Sequence, residues 1–329
     1  MKTYPIAVAA LLFFAACNRS PEHYYQAGNR RAMSGRSLEA IQLYNKALLL
    51  KKKYPEALTS RGMVYEKLGD PQKAIYDYKK AIDQDPSYAP ALNNLSALYM
   101  DAGEYKEAVK HLSRALENTP AYSLGWLNRG VARYKLGNYS DALSDLSRAI
   151  ETDPKQQLAY YQRALAAFKL GDTVSALADL DTLVSMKPDL APAWFERGKI
   201  KFYAKDYPGA KDDFLKAAGL KPDAAAYRYW TGLAVMRAGY YEGAMAEADA
   251  ALGLAPDHAP SWLLKGDICF YQKNPAGAED SYQKARDLDP ARAELYDARL
   301  AAVRRQAAPA KPPRQTRAKS VRAPDYDEE

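Results

Sequence analysis

Proline recurs at residues 86, 120, 154, 188, 222, 256 and 290, and every step is 34 residues. A fixed period of that length means that one supersecondary unit is repeated, so the unit has to be read before the chain. With each proline set at position 32, units begin at residues 21, 55, 89, 123, 157, 191, 225 and 259. Position 20 is then alanine in all eight units: Ala40, Ala74, Ala108, Ala142, Ala176, Ala210, Ala244 and Ala278. Position 8 is small throughout: Gly28, Gly62, Ser96, Gly130, Ala164, Gly198, Gly232 and Gly266. Position 27 is alanine in seven units, with Leu183 the exception, and position 4 is large and apolar in seven, with Arg228 the exception.

Positions 4, 8 and 11, and then 20, 24 and 27, lie four and three apart, so each set draws one apolar stripe along a helix. Small residues at 8 and 20 let the two helices approach closely. Glycine stands between them at position 15 in Gly35, Gly69, Gly103, Gly137, Gly171 and Gly239. Asp70, Asn138, Asp172 and Asn274 follow as expected N-caps, and Pro71 and Pro275 suit the first turn of a second helix. The position-32 prolines stop that helix. One unit cannot bury its stripe alone, so the units must stack. Unit one is the degenerate end, with Lys52 at position 32 and Pro55 three residues on. Residues 293–307, "AELYDARLAAVRRQA", read as a capping helix with Leu295, Leu300 and Val303 among its apolar residues.

This pattern resembles the tetratricopeptide repeat family over residues 21–292. The resemblance implies an all-α solenoid: a right-handed superhelix of eight helix-turn-helix repeats, capped by the helix over 293–307. The repeats are 21–54, 55–88, 89–122, 123–156, 157–190, 191–224, 225–258 and 259–292. It also implies a concave groove lined by the first helices, whose positions 2, 5, 9, 12 and 13, and often 6, face a protein or peptide partner. The groove residues expected on this basis are the amides Asn94, Asn128 and Gln162 and the aromatics Tyr134, Tyr161, Phe168, Phe195, Phe202, Tyr229 and Trp230. Amides can bond a peptide backbone and aromatics can supply anchor pockets. Two readings stay open for the aromatics, packing within the solenoid and contact with a partner. The family's chaperone-binding subtype uses a basic clamp, and Asn29, Ser60 and the Pro90–Asn94 stretch do not supply it.

The N-terminus reads "MKTYPIAVAALLFFAA" over residues 1–16. Its apolar run, Ile6 to Ala16, is 11 residues long, and about 20 are needed to span a bilayer. It fits the h-region of a signal peptide; the alternative is an N-terminal helix of the fold. Phe14-Ala15-Ala16-Cys17 resembles a bacterial lipobox, with phenylalanine where leucine is commonest. That resemblance implies lipidation of Cys17, with acyl chains such as palmitate, and cleavage that leaves a short tether over 17–20. The alternative is an ordinary signal peptide cut near Ala16. The lipobox reading implies a lipid-anchored protein of the bacterial cell envelope. Asn18 is not the aspartate that retains lipoproteins in the inner membrane, which favours the periplasmic face of the outer membrane.

The net charge of +7 is unevenly placed. Arg304 onward carries seven basic and four acidic residues, so the body is close to neutral and has little electrostatic reason to bind nucleic acid. Residues 308–329 form a basic, proline-rich stretch that ends in acids and should be disordered. Contact with anionic lipid, contact with cell-wall polymer and simple solvation all stay open for it. His23, His111 and His258 lie in different units and share no ligand spacing, so no metal is expected. Cys269 falls at position 11 and reads as a buried thiol. No phosphate-binding glycine loop, nucleophile elbow or HExxH stands in the sequence, so neither an enzyme nor a cofactor is expected. The function expected is a membrane-tethered scaffold for envelope assembly. The alternative is a glycan or cell-wall binding module that uses the groove aromatics.

Overall fold

The computed structural model describes residues 20–307. Cys17, the rest of the leader and the 308–329 tail lie outside the described residues. The described residues are helical throughout, with no strand. The first helices of the pairs are α1 (Pro21–Met33), α3 (Pro55–Lys67), α5 (Ala89–Asp101), α7 (Ser123–Lys135), α9 (Gln157–Lys169), α11 (Ala191–Tyr203), α13 (Ala225–Arg237) and α15 (Ala259–Tyr271). The second helices are α2 (Ser37–Leu50), α4 (Pro71–Gln84), α6 (Tyr105–Asn118), α8 (Tyr139–Thr152), α10 (Thr173–Met186), α12 (Tyr207–Leu220), α14 (Tyr241–Leu254) and α16 (Pro275–Leu288). A short 3₁₀ turn, Pro290–Arg292, leads into α17 (Ala293–Ala307).

The helices form two compact units that divide between Ala204 and Lys205, inside repeat six. The 34-residue register continues through this point, although position 15 there is Lys205 where six of the repeats have glycine. The first unit holds α1 to α11 and the second α12 to α17, and in each the helices stack on their chain neighbours.

Local chemistry explains the helix ends. The position-15 glycines adopt φ between +77° and +88°, which only glycine reaches without strain. Repeats six and eight have no glycine there, and Lys205 and Lys273 hold the same turn at φ +66° and +58°. Asp70, Asp172 and Asn274 cap the next helix by accepting from the N–H of Lys73, Ser175 and Gly277. Asp206 does the same for Gly209. Asn138 makes no such bond; the first turn of α8 instead carries Asp141, whose negative charge suits the helix N-terminus.

In repeats one, two and eight the glycine at position 8 meets a tyrosine at position 24. A Cβ built on Gly28 or Gly62 would lie 2.6 Å from the ring of Tyr44 or Tyr78, and one on Gly266 would lie 2.5 Å from Tyr282. These tyrosines are fully buried, as are all eight position-20 alanines. The capping helix buries Tyr296, Leu300 and Val303, with Leu300 and Val303 packed against Tyr282 and Cys269. Leu295 faces outward at 39% exposure, so it is the neighbouring Tyr296 that fills the interface.

Two ties join one repeat to the next. Trp126, Trp194 and Trp262, at position 4, each donate an indole N–H to the carbonyl of the preceding position-32 proline, at 2.7, 2.9 and 2.8 Å. Arg61, Arg129 and Arg163, at position 7, each grip a buried position-23 aspartate with two nitrogens: Asp77, Asp145 and Asp179. The same guanidinium reaches back to position 25 of the repeat before, at Asn45, Ser113 and Ser147. A planar guanidinium with five donors can serve both repeats at once.

Candidate partner-binding groove

Successive first helices touch one another: α1 and α3, α3 and α5, α5 and α7, α7 and α9, and, in the second unit, α13 and α15. The second helices pack mainly on first helices. Within each unit the first helices are therefore the inner row, and their outward positions form the candidate groove. All ten expected groove residues are half-buried. Eight of them belong to the first unit; Tyr229 and Trp230 belong to the second.

The amides are not isolated. Asn128 Nδ2 donates to Asn93 Oδ1 at 2.8 Å, and Asn93 Nδ2 donates to Asn94 Oδ1 at 3.3 Å. Asn93, a position-5 residue that the sequence reading passed over, is 6% exposed and links α5 to α7. Each amide can make up to four hydrogen bonds, so this chain uses only part of their capacity. Gln162 lies one repeat further along, on α9.

The aromatics both pack and line the row. Tyr134 lies 5.3 Å from Tyr139. Tyr161 and Phe168 rest on the buried cluster of Leu180, Leu183 and Ile200. Phe168 and Phe202 both approach Tyr203, at 5.9 and 5.8 Å between centroids. Tyr203 is 58% exposed and stands at position 13 of repeat six; reading that groove position for aromatics would have found it. Lys199 Nζ lies 5.5 Å from the Phe195 ring centre and pairs with Glu196. In the second unit, Tyr229 contacts Trp230 and His258, and Trp230 contacts Phe214.

At the other end of the first unit the row is different in kind. A cleft of about 410 Å³ opens between α1 and α3, lined by Asn29, Met33, Tyr44, Ser60, Met63 and Val64 among others. Its methionines are flexible and adapt to irregular apolar shapes. Core tyrosines brace polar groups on this row. Tyr44 donates to Asn29 at 2.8 Å, Tyr78 to Glu66 at 2.5 Å and Tyr282 to Asp267 at 2.7 Å. Burial pushes Tyr44 up to about 12. Burial also raises the Glu66 carboxyl above its ordinary value, and the bond from Tyr78 pulls it back.

The other singled-out residues lie apart from one another. His23 is exposed, His111 stacks on Tyr99 at 5.5 Å, and His258 bonds Ser261 at 2.7 Å. Cys269 is buried, and burial raises its thiol pKa. Among the described residues no cluster of histidine, cysteine and carboxylates could hold a metal ion, and no helix is long and apolar enough to cross a membrane.

One tetratricopeptide repeat model matches residues 25–89, 127–193, 195–259 and 246–293, and a second matches residues 65–126. The chain belongs to the tetratricopeptide repeat family. Its fold is that of a protein–protein interaction scaffold. No curated protein matches the chain. Among solved structures, PilF of Pseudomonas aeruginosa matches with a TM-score of 0.59 and 20% identity, over 65% of this chain and 97% of that one. A tetratricopeptide repeat protein from Parabacteroides merdae matches with a TM-score of 0.56 and 20% identity, over 76% and 98% of the two chains. YrrB, described as a tetratricopeptide repeat protein with an unusual peptide-binding site, matches with a TM-score of 0.50 and 21% identity, over 56% and 95%. At these identities the likeness is one of fold.

Proposed function

We propose that this tetratricopeptide repeat chain is a lipid-anchored scaffold of the bacterial envelope, and that the first helices of its first unit hold an extended protein segment. The observation that carries the reading is one juxtaposition on the inner row. The amide chain of Asn93, Asn94 and Asn128 stands on α5 and α7, and the half-buried aromatics from Tyr134 to Phe202 stand on α7, α9 and α11. Amides satisfy a peptide backbone, which would otherwise lose its hydrogen bonds to water, and aromatic walls bury its side chains. Leu124 and Leu158, at position 2 and 41% and 51% exposed, extend the apolar surface. The anchor in this reading is Cys17, three residues ahead of Ser20, which caps α1 by accepting from His23 N–H. A second reading, stacking of cell-wall sugars, is favoured by the exposed ring of Tyr203 beside Phe168 and Phe202.

The test is in-cell photocrosslinking from position 158 of the full chain, read by mass spectrometry. A single protein adduct, weakened by Gln162→Ala, is the expected result, and Cys17→Ala should release the chain from membranes. If the adduct is absent and the chain is instead retained saturably on purified peptidoglycan, with retention lost in Tyr203→Ala, the glycan reading replaces the first.

A further inference from the structure

The end of the second helix is exposed at position 29 in every repeat. Repeats two to four are acidic and polar from position 29 to 32: Asp83-Gln84-Asp85-Pro86, Glu117-Asn118-Thr119-Pro120 and Glu151-Thr152-Asp153-Pro154. Repeat one reads Leu49-Leu50-Lys51-Lys52 and continues with Lys53. Leu49 is 80% exposed and Leu50 is 55% exposed, and the three lysines are exposed beside them. Two adjacent leucines, both more than half exposed, are unlike the scattered single exposed residues of an ordinary surface.

The surroundings extend the same chemistry. Lys46, Lys79 and Lys80 are also exposed. A cleft of about 410 Å³, lined by Leu48, Lys52, Leu58, Arg61, Lys80 and Gln84, joins the leucine–lysine segment to α4. There the ring of Tyr76, 61% exposed, lies 5.6 Å from Lys80 Nζ. The lysines outnumber the flanking carboxylates Glu22, Glu56, Asp83 and Asp85. Glu22 is already engaged by Lys51 at 3.5 Å, and Asp85 accepts from Ser87. The segment is also rigidly presented. Gln84 donates to the carbonyl of Lys52 at 2.9 Å and accepts from the N–H of the buried Tyr54 at 2.8 Å.

We propose that this end of repeat one, Leu49 and Leu50 ringed by Lys46, Lys51, Lys52 and Lys53, docks on an anionic lipid surface. The leucines enter the boundary between head groups and acyl chains, and the lysines lie along the head groups with their stems over apolar surface. Each basic residue near an anionic leaflet adds to the attraction, which reaches no further than a Debye length. The ion pair from Lys51 to Glu22 sets the start of α1 beside this surface. An acyl chain on the preceding segment and the docking surface would therefore act on the same bilayer, and one chain plus a polybasic patch holds where one chain alone holds weakly.

The docking surface stands apart from acylation of Cys17 and is tested without it. The full chain carrying Cys17→Ala and Leu49→Cys is labelled with an environment-sensitive fluorophore; Cys269 is buried and does not compete. A control carries the label at Glu117→Cys, the same register position in repeat three. With phosphatidylglycerol vesicles the label at 49 should shift to the blue and the control should not, and pure phosphatidylcholine should move neither. Lys52→Glu with Lys53→Glu should weaken partitioning on the anionic vesicles by roughly tenfold or more. Attachment through the apolar leader would bring the chain to both vesicle types and would not depend on these lysines. A label at 49 that stays unmoved on anionic vesicles overturns the proposal, as does one that ignores the lysine reversal. Shielding by lipid-free envelope protein, with none by vesicles, assigns the surface to a protein and overturns it as well.

Discussion

Repeats three and four answer one packing problem in two ways. In repeat four, Arg129 at position 7 and Asp145 at position 23 form a bidentate pair at 2.8 and 2.9 Å, and Arg133 adds a third contact at 2.7 Å. In repeat three the same positions hold Leu95, 1% exposed within a cluster with Leu58, Tyr78 and Leu92, and His111, stacked on Tyr99. An ion pair must recover the cost of desolvating two charges, whereas a leucine carries no such cost, so the pair is weak evidence of added stability. Its use, as a hypothesis, is specificity. Through Ser113 the Arg129 pair fixes how repeat four seats on repeat three, while an apolar contact tolerates small shifts.

The largest expected effect breaks the polar solution at its centre. Asp145→Ala leaves two guanidiniums beside a buried site and should cost about 3–5 kcal/mol in urea unfolding. His111→Ala, at the equivalent position, loses one stacked ring and should cost only about 0.5–1.5 kcal/mol. Equal losses would mean that the two repeats are not held differently.

A smaller effect is expected when the polar solution is converted into the apolar one. Arg163→Leu combined with Asp179→Leu, in repeat five, should change stability by less than about 1 kcal/mol, because both charges leave together. The first of these alone should be far more costly than the pair, and a double-mutant cycle reads the difference. If the double variant unfolds as readily as either single one, the pair contributes stability outright.

The smallest effect is the pH slope that His111 contributes in repeat three. Burial lowers the His111 pKa below its ordinary value of 6.5; Lys110, Arg114 and Lys79 lower it further, and Glu107 opposes them. The folded chain therefore favours the neutral ring. That contribution is complete above 6.5 and is lost as pH falls through the lowered value. Stability of the parent minus that of His111→Gln should decline over this window, and a flat difference would show that the ring titrates normally.

Much of the fold was legible because burial is periodic. Alanine at position 20 and a small residue at position 8 report close helix contacts whatever the partner, and the glycines at position 15 report a left-handed turn. Lys205 and Lys273 take the same turn although lysine has no preference for positive φ, and only their place at position 15 of the register points to it. In the capping helix, Leu295 and Tyr296 are neighbours of similar apolar character, and only the approach of the helix to repeat eight selected the tyrosine. Asn93 stands at position 5, one of the expected groove positions, and was passed over; what the register does not report is its bond to Asn128, which crosses 35 residues.

The amino-acid sequence by itself determined the repeating helix pairs, the places where they turn and the residues that face inward. Those properties follow from periodicity and local backbone preference, and each is written within one 34-residue unit. Tertiary structure alone decided which side chains meet across repeats: the arginine reaching back to the preceding helix, the amide chain from α5 to α7, and the compact units that part between Ala204 and Lys205. Such choices depend on the offset and rotamers of neighbouring helices, which repeats that share only a few fixed positions leave open until they pack.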